Sequence, residues 1–101
     1  DLTVVDGLYG LEGRETNSYR AVKMDIIIAG RDIVAVDAVS SAIMGYDPSR
    51  LIYIKLAMQK GLGVGNLKEI EIKGVPIRDV MRRFKPSYTE YEKLHLKNLD
   101  L

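Results

Sequence analysis

The sequence predicts an α/β domain: a small two- or three-layer structure with a mixed sheet of about three strands, two sequential helices and a helical C-terminal tail. Three observations carry this. An apolar run, Ile26 to Ala29, stops at Gly30 and is followed by a small-residue helical pattern that ends at Gly45. Asp47-Pro48 restarts a helix, with Asp47 placed to cap it and Pro48 at its first position. Leu67 to Lys73 then alternates apolar and charged residues, the period of a strand with one open face.

Composition narrows the function classes. With 47% hydrophobic and 29% charged residues the chain is globular and not disordered. A net charge of +1 asks for no nucleic acid and no anionic membrane as partner. There is no cysteine, so this segment holds no disulfide, thiolate zinc site or iron–sulfur cluster. One histidine, His95, makes neither a His-rich metal site nor a triad alone. No apolar run approaches the roughly 20 residues of a membrane span. No signal peptide is visible, and the expected location is the cytoplasm. The chain begins at Asp1 and enters strand-like sequence at once, which reads as a piece of a longer polypeptide.

Taken in order, Leu2 to Val5 is a short β-branched strand ended by Asp6-Gly7. Leu8 to Tyr19 is then expected as a long glycine-rich loop, with Gly7, Gly10 and Gly13 at three-residue spacing among Asp6, Glu12, Arg14 and Glu15. Such a backbone turns sharply or comes close to a ligand. Val22 to Ala29 is a second strand, with so little polar interruption that cover on both faces is expected. Gly30 permits the turn, and Asp32 is an N-cap for a helix over Ile33–Met44. Gly45 ends that helix as a C′ glycine, and Gly61 does the same for a second helix over Pro48–Lys60. The glycines of Gly61–Gly65 follow a helix and precede a strand, the reverse of a dinucleotide-binding turn, so they read as a connection. Pro76 to Val80 docks Ile77 and Val80 through a short turn or helix. The expected division is an α/β portion over 1–80 and a basic, aromatic helical tail over 81–101. In that tail Arg82, Arg83 and Lys85 surround Phe84, Tyr88, Tyr91 and Leu94 recur at helical spacing, and His95 is expected to be exposed.

The candidate site residues are carboxylates beside glycines. Asp37, Ser40 and Ser41 share one side of the first helix, without the Lys, Arg or Glu that an exposed face usually carries. That face is expected to be partly covered, and a covered carboxylate needs a partner. Asp37 is therefore the candidate for a catalytic group. Asp6, Gly7, Gly10, Glu12, Gly13, Gly30 and Asp32 are candidates for cofactor binding. Asp6, Glu12 and Asp37 could together offer oxygen ligands to a hard divalent cation such as Mg²⁺. Asp32 and Asp37 lie about 140° apart around one helix, which argues against a two-carboxylate catalytic pair.

Three stretches, VDGLYGLEG, IIIAGRDIVAVDAVSSAIMGYDP and GLGVGNLKEIEIKG, resemble the C-terminal part of a prokaryotic domain-of-unknown-function family, the one numbered 362. The likeness covers residues 1–74. The chain departs from the family pattern at Ile33, where proline is common, and over Arg14 to Arg20, which lacks the usual small glycine- and proline-rich insertion. The resemblance implies a missing N-terminal half of the same polypeptide as partner. It also implies a parent that is often joined to a ferredoxin-like iron–sulfur segment outside this stretch. It carries Asp6, Gly7, Glu12, Gly13, Gly30, Asp32 and Asp37 as shared positions, and assigns them no roles.

Two readings of function stand side by side. In one, an iron–sulfur-associated redox or metal-dependent parent has its site between the missing half and this segment, at the strand ends where open α/β sheets bind ligands. In the other, the segment is structural: its aspartates cap helices, its glycines shape turns, and it supports a partner half or a homo-oligomer.

Overall fold

Helix α1, Ile33–Ile43, is the element on which the others converge. The computed structural model describes residues 1–13, 20–87 and 89–97. Strands β1, Thr3–Glu12, and β2, Arg20–Gly30, form an antiparallel pair that lies on one side of α1. Helices α2, Ile52–Gln59, and α3, Ile77–Val80, also touch α1, as do 3₁₀ turns at Pro48–Arg50 and Leu67–Glu69. A 3₁₀ segment at Thr89–Leu94 completes the described chain.

The reason α1 can be central is its small residues. Ala38 and Ala42, one turn apart, have no exposed surface, so neighbouring backbone comes close on that side. Val39, Ala42 and Ile43 join Ile77 in one cluster, against which Met24, Ile26 and Ile28 of β2 pack. Val34 and Ala38 join Ile54 of α2 in a second. Leu67 and Ile70 pack on both clusters and connect them.

Both expected helix ends are formed as the glycines demand. Gly45 has φ +90°, with Gly45 N–H donating to Ala42 O and Tyr46 N–H to Ser41 O. Gly61 has φ +71°, with Gly61 N–H donating to Met58 O and Leu62 N–H to Ala57 O. These are paired C-terminal closures in which a left-handed residue satisfies the last carbonyls. The start of the second helix differs from expectation. Asp47 caps only a 3₁₀ turn through Ser49 N–H, and the extended Leu51 separates that turn from α2.

The sheet differs more. It has two antiparallel strands among the described residues, where a mixed sheet of about three was expected. β1 runs through Gly7 and Gly10 to Glu12, so most of the expected loop over Asp6–Gly13 is strand. Strand pairing recruits those glycines because side chains there would collide: a Cβ on Gly7 would meet Ile26 Cγ1 at 2.6 Å, and one on Gly10 would meet the Phe84 ring at 2.6 Å. The rest of the expected loop, 14–19, lies outside the described residues, as do Tyr88 and 98–101. Leu67–Lys73 keeps its strand-like alternation in sequence but forms a 3₁₀ turn, capped by Asn66, followed by unpaired chain. Pairing needs a second edge at hydrogen-bonding distance, and the described residues offer none there.

The two strands slip once. Gly7 pairs with Ile26 and Tyr9 with Lys23, so Met24 and Asp25 together face Leu8. Asp25 takes φ 53°, a left-handed conformation that a non-glycine residue adopts at a cost.

The C-terminal chain completes the core. Phe84, 2% exposed, fills the space beside Gly10. Arg82 N–H donates to Ile43 O and Phe84 N–H to Met44 O, so this stretch satisfies carbonyls at the end of α1. The side chains of Arg82, Arg83 and Lys85 stay exposed. His95 is buried, against the expectation of an exposed position. A backbone bridge to Tyr46 and ring stacking at 4.5 Å hold it. Its Nε2 lies 2.8 Å from Phe84 O. A carbonyl only accepts, so Nε2 carries the proton of this bond. Nδ1 is buried without a partner among the described residues. Helical spacing alone cannot reveal a docking of this kind, made with Tyr46, 49 positions away, and with Phe84, 11 away.

Candidate functional site

Asp32 is where β2, α1 and the glycine-rich connection meet. One carboxylate oxygen accepts from Val34 N–H at 2.9 Å and Ala35 N–H at 3.0 Å. The other accepts from Val64 N–H at 2.8 Å. The bonds from Ala35 and Val64 are the main cause of a pKa held below the usual carboxylate value; partial desolvation opposes them and the Val34 bond adds to them. Gly63 lies so close that a Cβ there would collide with Asp32 Oδ1. The expected cap is therefore formed, and it does a second job that local sequence does not announce: it fastens the chain after α2 to the start of α1.

The other candidates do not converge. Asp6 is exposed on β1, and its Oδ1 accepts from Leu8 N–H at 3.0 Å. Glu12 lies six residues further along the strand, about 20 Å away. It accepts from Lys85 N–H at 2.8 Å and faces Arg20 Nε at 3.8 Å. Its charge, together with burial as the larger cause, raises the pKa of the Tyr46 hydroxyl. Asp37 is exposed on α1, against the expectation of a covered carboxylate. Its neighbours explain the misleading pattern. Ser41 is buried, and its hydroxyl bonds Asp37 O at 2.8 Å and lies 3.3 Å from Tyr53 Oη. Ser40 returns its hydroxyl to Val36 O at 2.7 Å. The serines satisfy themselves on their own helix and leave the carboxylate in water. Among the described residues no group of three His, Asp or Glu side chains is gathered as a metal site would be. Gly30 is tight for packing reasons, since a Cβ there would meet Val36 Cγ2 at 2.8 Å. Gly13, at φ 96°, donates its N–H to Lys85 O.

Two other features stand out. The first is the outer face of the hairpin. Val4, Leu8, Tyr9 and Leu11 of β1 are 49–59% exposed, and Ile27 of β2 is 77% exposed. On the inner face of β2, Met24, Ile26 and Ile28 are partly buried and pack against the core. β2 was expected to be covered on both sides; the described chain covers one. The second is a groove of about 390 Å³ between β2 and the stretch after the Leu67–Glu69 turn, with α1 as its floor. Asp32 and Arg31 stand at one end.

The hairpin and most of α1 also lie within a match to a known family. Residues 1–42 match the family model of the Domain of unknown function (DUF362). Comparison with curated proteins and with solved structures finds no match. The matched segment takes in β1, β2 and α1 up to Ala42, so it contains the outer face, the Asp32 junction and one wall of the groove. The far wall of the groove and the Phe84–His95 closure lie beyond it. No helix among the described residues is long and apolar enough to cross a membrane.

Proposed function

We propose that this chain is an assembly domain, whose hairpin presents its outer face to another polypeptide surface. One observation carries the reading: five large apolar side chains, Val4, Leu8, Tyr9, Leu11 and Ile27, sit on the open side of a sheet whose other side is packed. An antiparallel sheet that faces water usually turns polar residues outward. Here Asp6, Lys23 and Asp25 are the polar exceptions among apolar neighbours. Clustered apolar surface on one face of a sheet marks contact with protein more often than with solvent. The separation of Asp6, Glu12 and Asp37 favours this reading over a metal centre built from those three.

The test compares two exposed positions. A photo-crosslinking side chain at position 27 is expected to give a discrete adduct of higher mass when the protein is expressed in cells. The same side chain at position 37, on the polar side of α1, is expected to give none. Equal yields from the two positions, or no adduct at 27, would remove the reading. Thermal melting is expected to be the same for both variants, because neither side chain is part of the core.

A further inference from the structure

The groove beside β2 has the construction of an empty place in a sheet. On one side runs β2, paired with β1 along one edge and with no strand on the other among the described residues. On the opposite side run residues 70–73, whose sequence alternates as a strand does: Ile70 and Ile72 against Glu71 and Lys73. Ile70 is extended, with φ −100° and ψ 123°, and turns its side chain to the core. Beyond the bond from Ile70 N–H to Leu67 O, these four residues make no backbone–backbone hydrogen bond with another described residue. The floor between the walls is apolar, formed by Val36, Val39 and Ile43 of α1. Two walls with strand character and unpaired backbone groups, over an apolar floor, offer hydrogen bonds on both sides at once.

We propose that this groove receives one extended β-strand from another polypeptide segment, pairing with β2 on one edge and with residues 70–73 on the other. The proposal rests on the assembly reading and names the chemistry of the contact. A strand entering here must have both of its edges free. Among the described residues of a second copy, β1 and β2 each already give one edge to the other, so neither fits without breaking its own sheet. The strand must also present apolar side chains to the α1 floor. On its outward side, Glu69 and Glu71 of the far wall are exposed and favour a basic or hydroxylated residue opposite. Backbone bonds would supply affinity and the floor would select the side chains, the mode by which peptides add to sheet edges. The same strand would give β2 the cover on its free edge that its nearly unbroken apolar sequence suggests.

The probe is a blocked peptide of about nine residues that alternates valine with lysine or threonine, long enough to match an ordinary strand. Amide exchange and chemical-shift mapping are expected to show protection at residues 26–31 and 70–73. N-methylation of every second peptide residue removes the donors of one edge and is expected to weaken capture at least tenfold. Two variants of the protein localise the effect. Successive N–H groups along a strand point to opposite edges, so of Glu71→Pro and Ile72→Pro one is expected to abolish capture and the other to leave it intact. Both are expected to keep the melting temperature, because neither N–H has a backbone partner. Capture unchanged in both variants, protection mapping to Val4 and Leu11 instead, or no binding at all would overturn the proposal. So would protection of 26–31 and 70–73 that rises with protein concentration in the absence of peptide, since that assigns the groove to a second copy. Leu11→Lys separates the two readings: it lies on the outer face and outside the groove, so it is expected to abolish contact through the outer face while leaving peptide capture unchanged.

Discussion

The two faces of the hairpin are made of similar residues and have opposite fates. Ile26 and Ile28 turn inward and pack on α1, whereas Ile27 between them is 77% exposed. On β1, Gly10 faces inward and gives its space to Phe84, whereas Leu11 beside it is 58% exposed. Hydrophobicity therefore does not decide which side of this sheet is core. The decision belongs to α1 and the returning C-terminal stretch, which reach one side only. What is left open on the other is apolar surface with no cover from the described residues, and surface of that kind carries the assembly reading.

Three perturbations probe that asymmetry. The largest strikes the packed side. Phe84→Ala empties the site next to Gly10, and equilibrium urea unfolding is expected to show a loss of about 3–5 kcal/mol. A loss near zero would mean that the inner face is no better packed than the outer one. The next concerns the slip between the strands. Asp25 is left-handed, and a β-branched side chain tolerates that conformation poorly. Asp25→Val is expected to destabilise by about 1–2 kcal/mol, with Asp25→Asn close to neutral. If valine were tolerated as well as asparagine, the register change between Gly7 and Tyr9 would not be a fixed feature of the hairpin.

The smallest acts at the junction between the hairpin and the helix. Asp32→Ala removes a cap and is expected to cost about 1 kcal/mol in thermal or chemical unfolding. Its pH dependence has a definite sign. The folded-state pKa of Asp32 lies below its unfolded value, so its stabilising contribution is full above the unfolded pKa. It is lost as pH falls through the folded pKa, when protonation weakens acceptance from Ala35, Val64 and Val34. Asp32→Asn is therefore expected to flatten the acid limb of the stability profile and to leave its alkaline side unchanged. An acid limb as steep as that of the parent chain would show that other carboxylates set it.

Local signals were legible where one residue type meets one backbone need. Gly45 and Gly61 mark the ends of two helices because the left-handed closing position favours glycine. Asp32 marks the start of α1 because its short carboxylate reaches the first free N–H groups. Ile77 and Val80 dock through a short helix as their spacing suggests. The candidate site was less legible. Asp37 looked covered because its serine neighbours looked like a network, and they bond back to their own helix instead. Gly7 and Gly10 looked like a ligand loop, yet Ile26 and Phe84 occupy the space that their missing side chains leave.

By itself the sequence determined the helix ends at Gly45 and Gly61, the strand character of β2 and the cap at Asp32, because each depends on interactions within a few residues. Only the tertiary structure decided which face of the hairpin is buried, that His95 is enclosed against Tyr46 and Phe84, and that Leu67–Lys73 has no strand beside it among the described residues. These outcomes depend on which distant segment arrives at a given surface. A strand pattern specifies a demand for cover and for hydrogen bonds; whether anything in the same chain meets that demand is settled by packing alone.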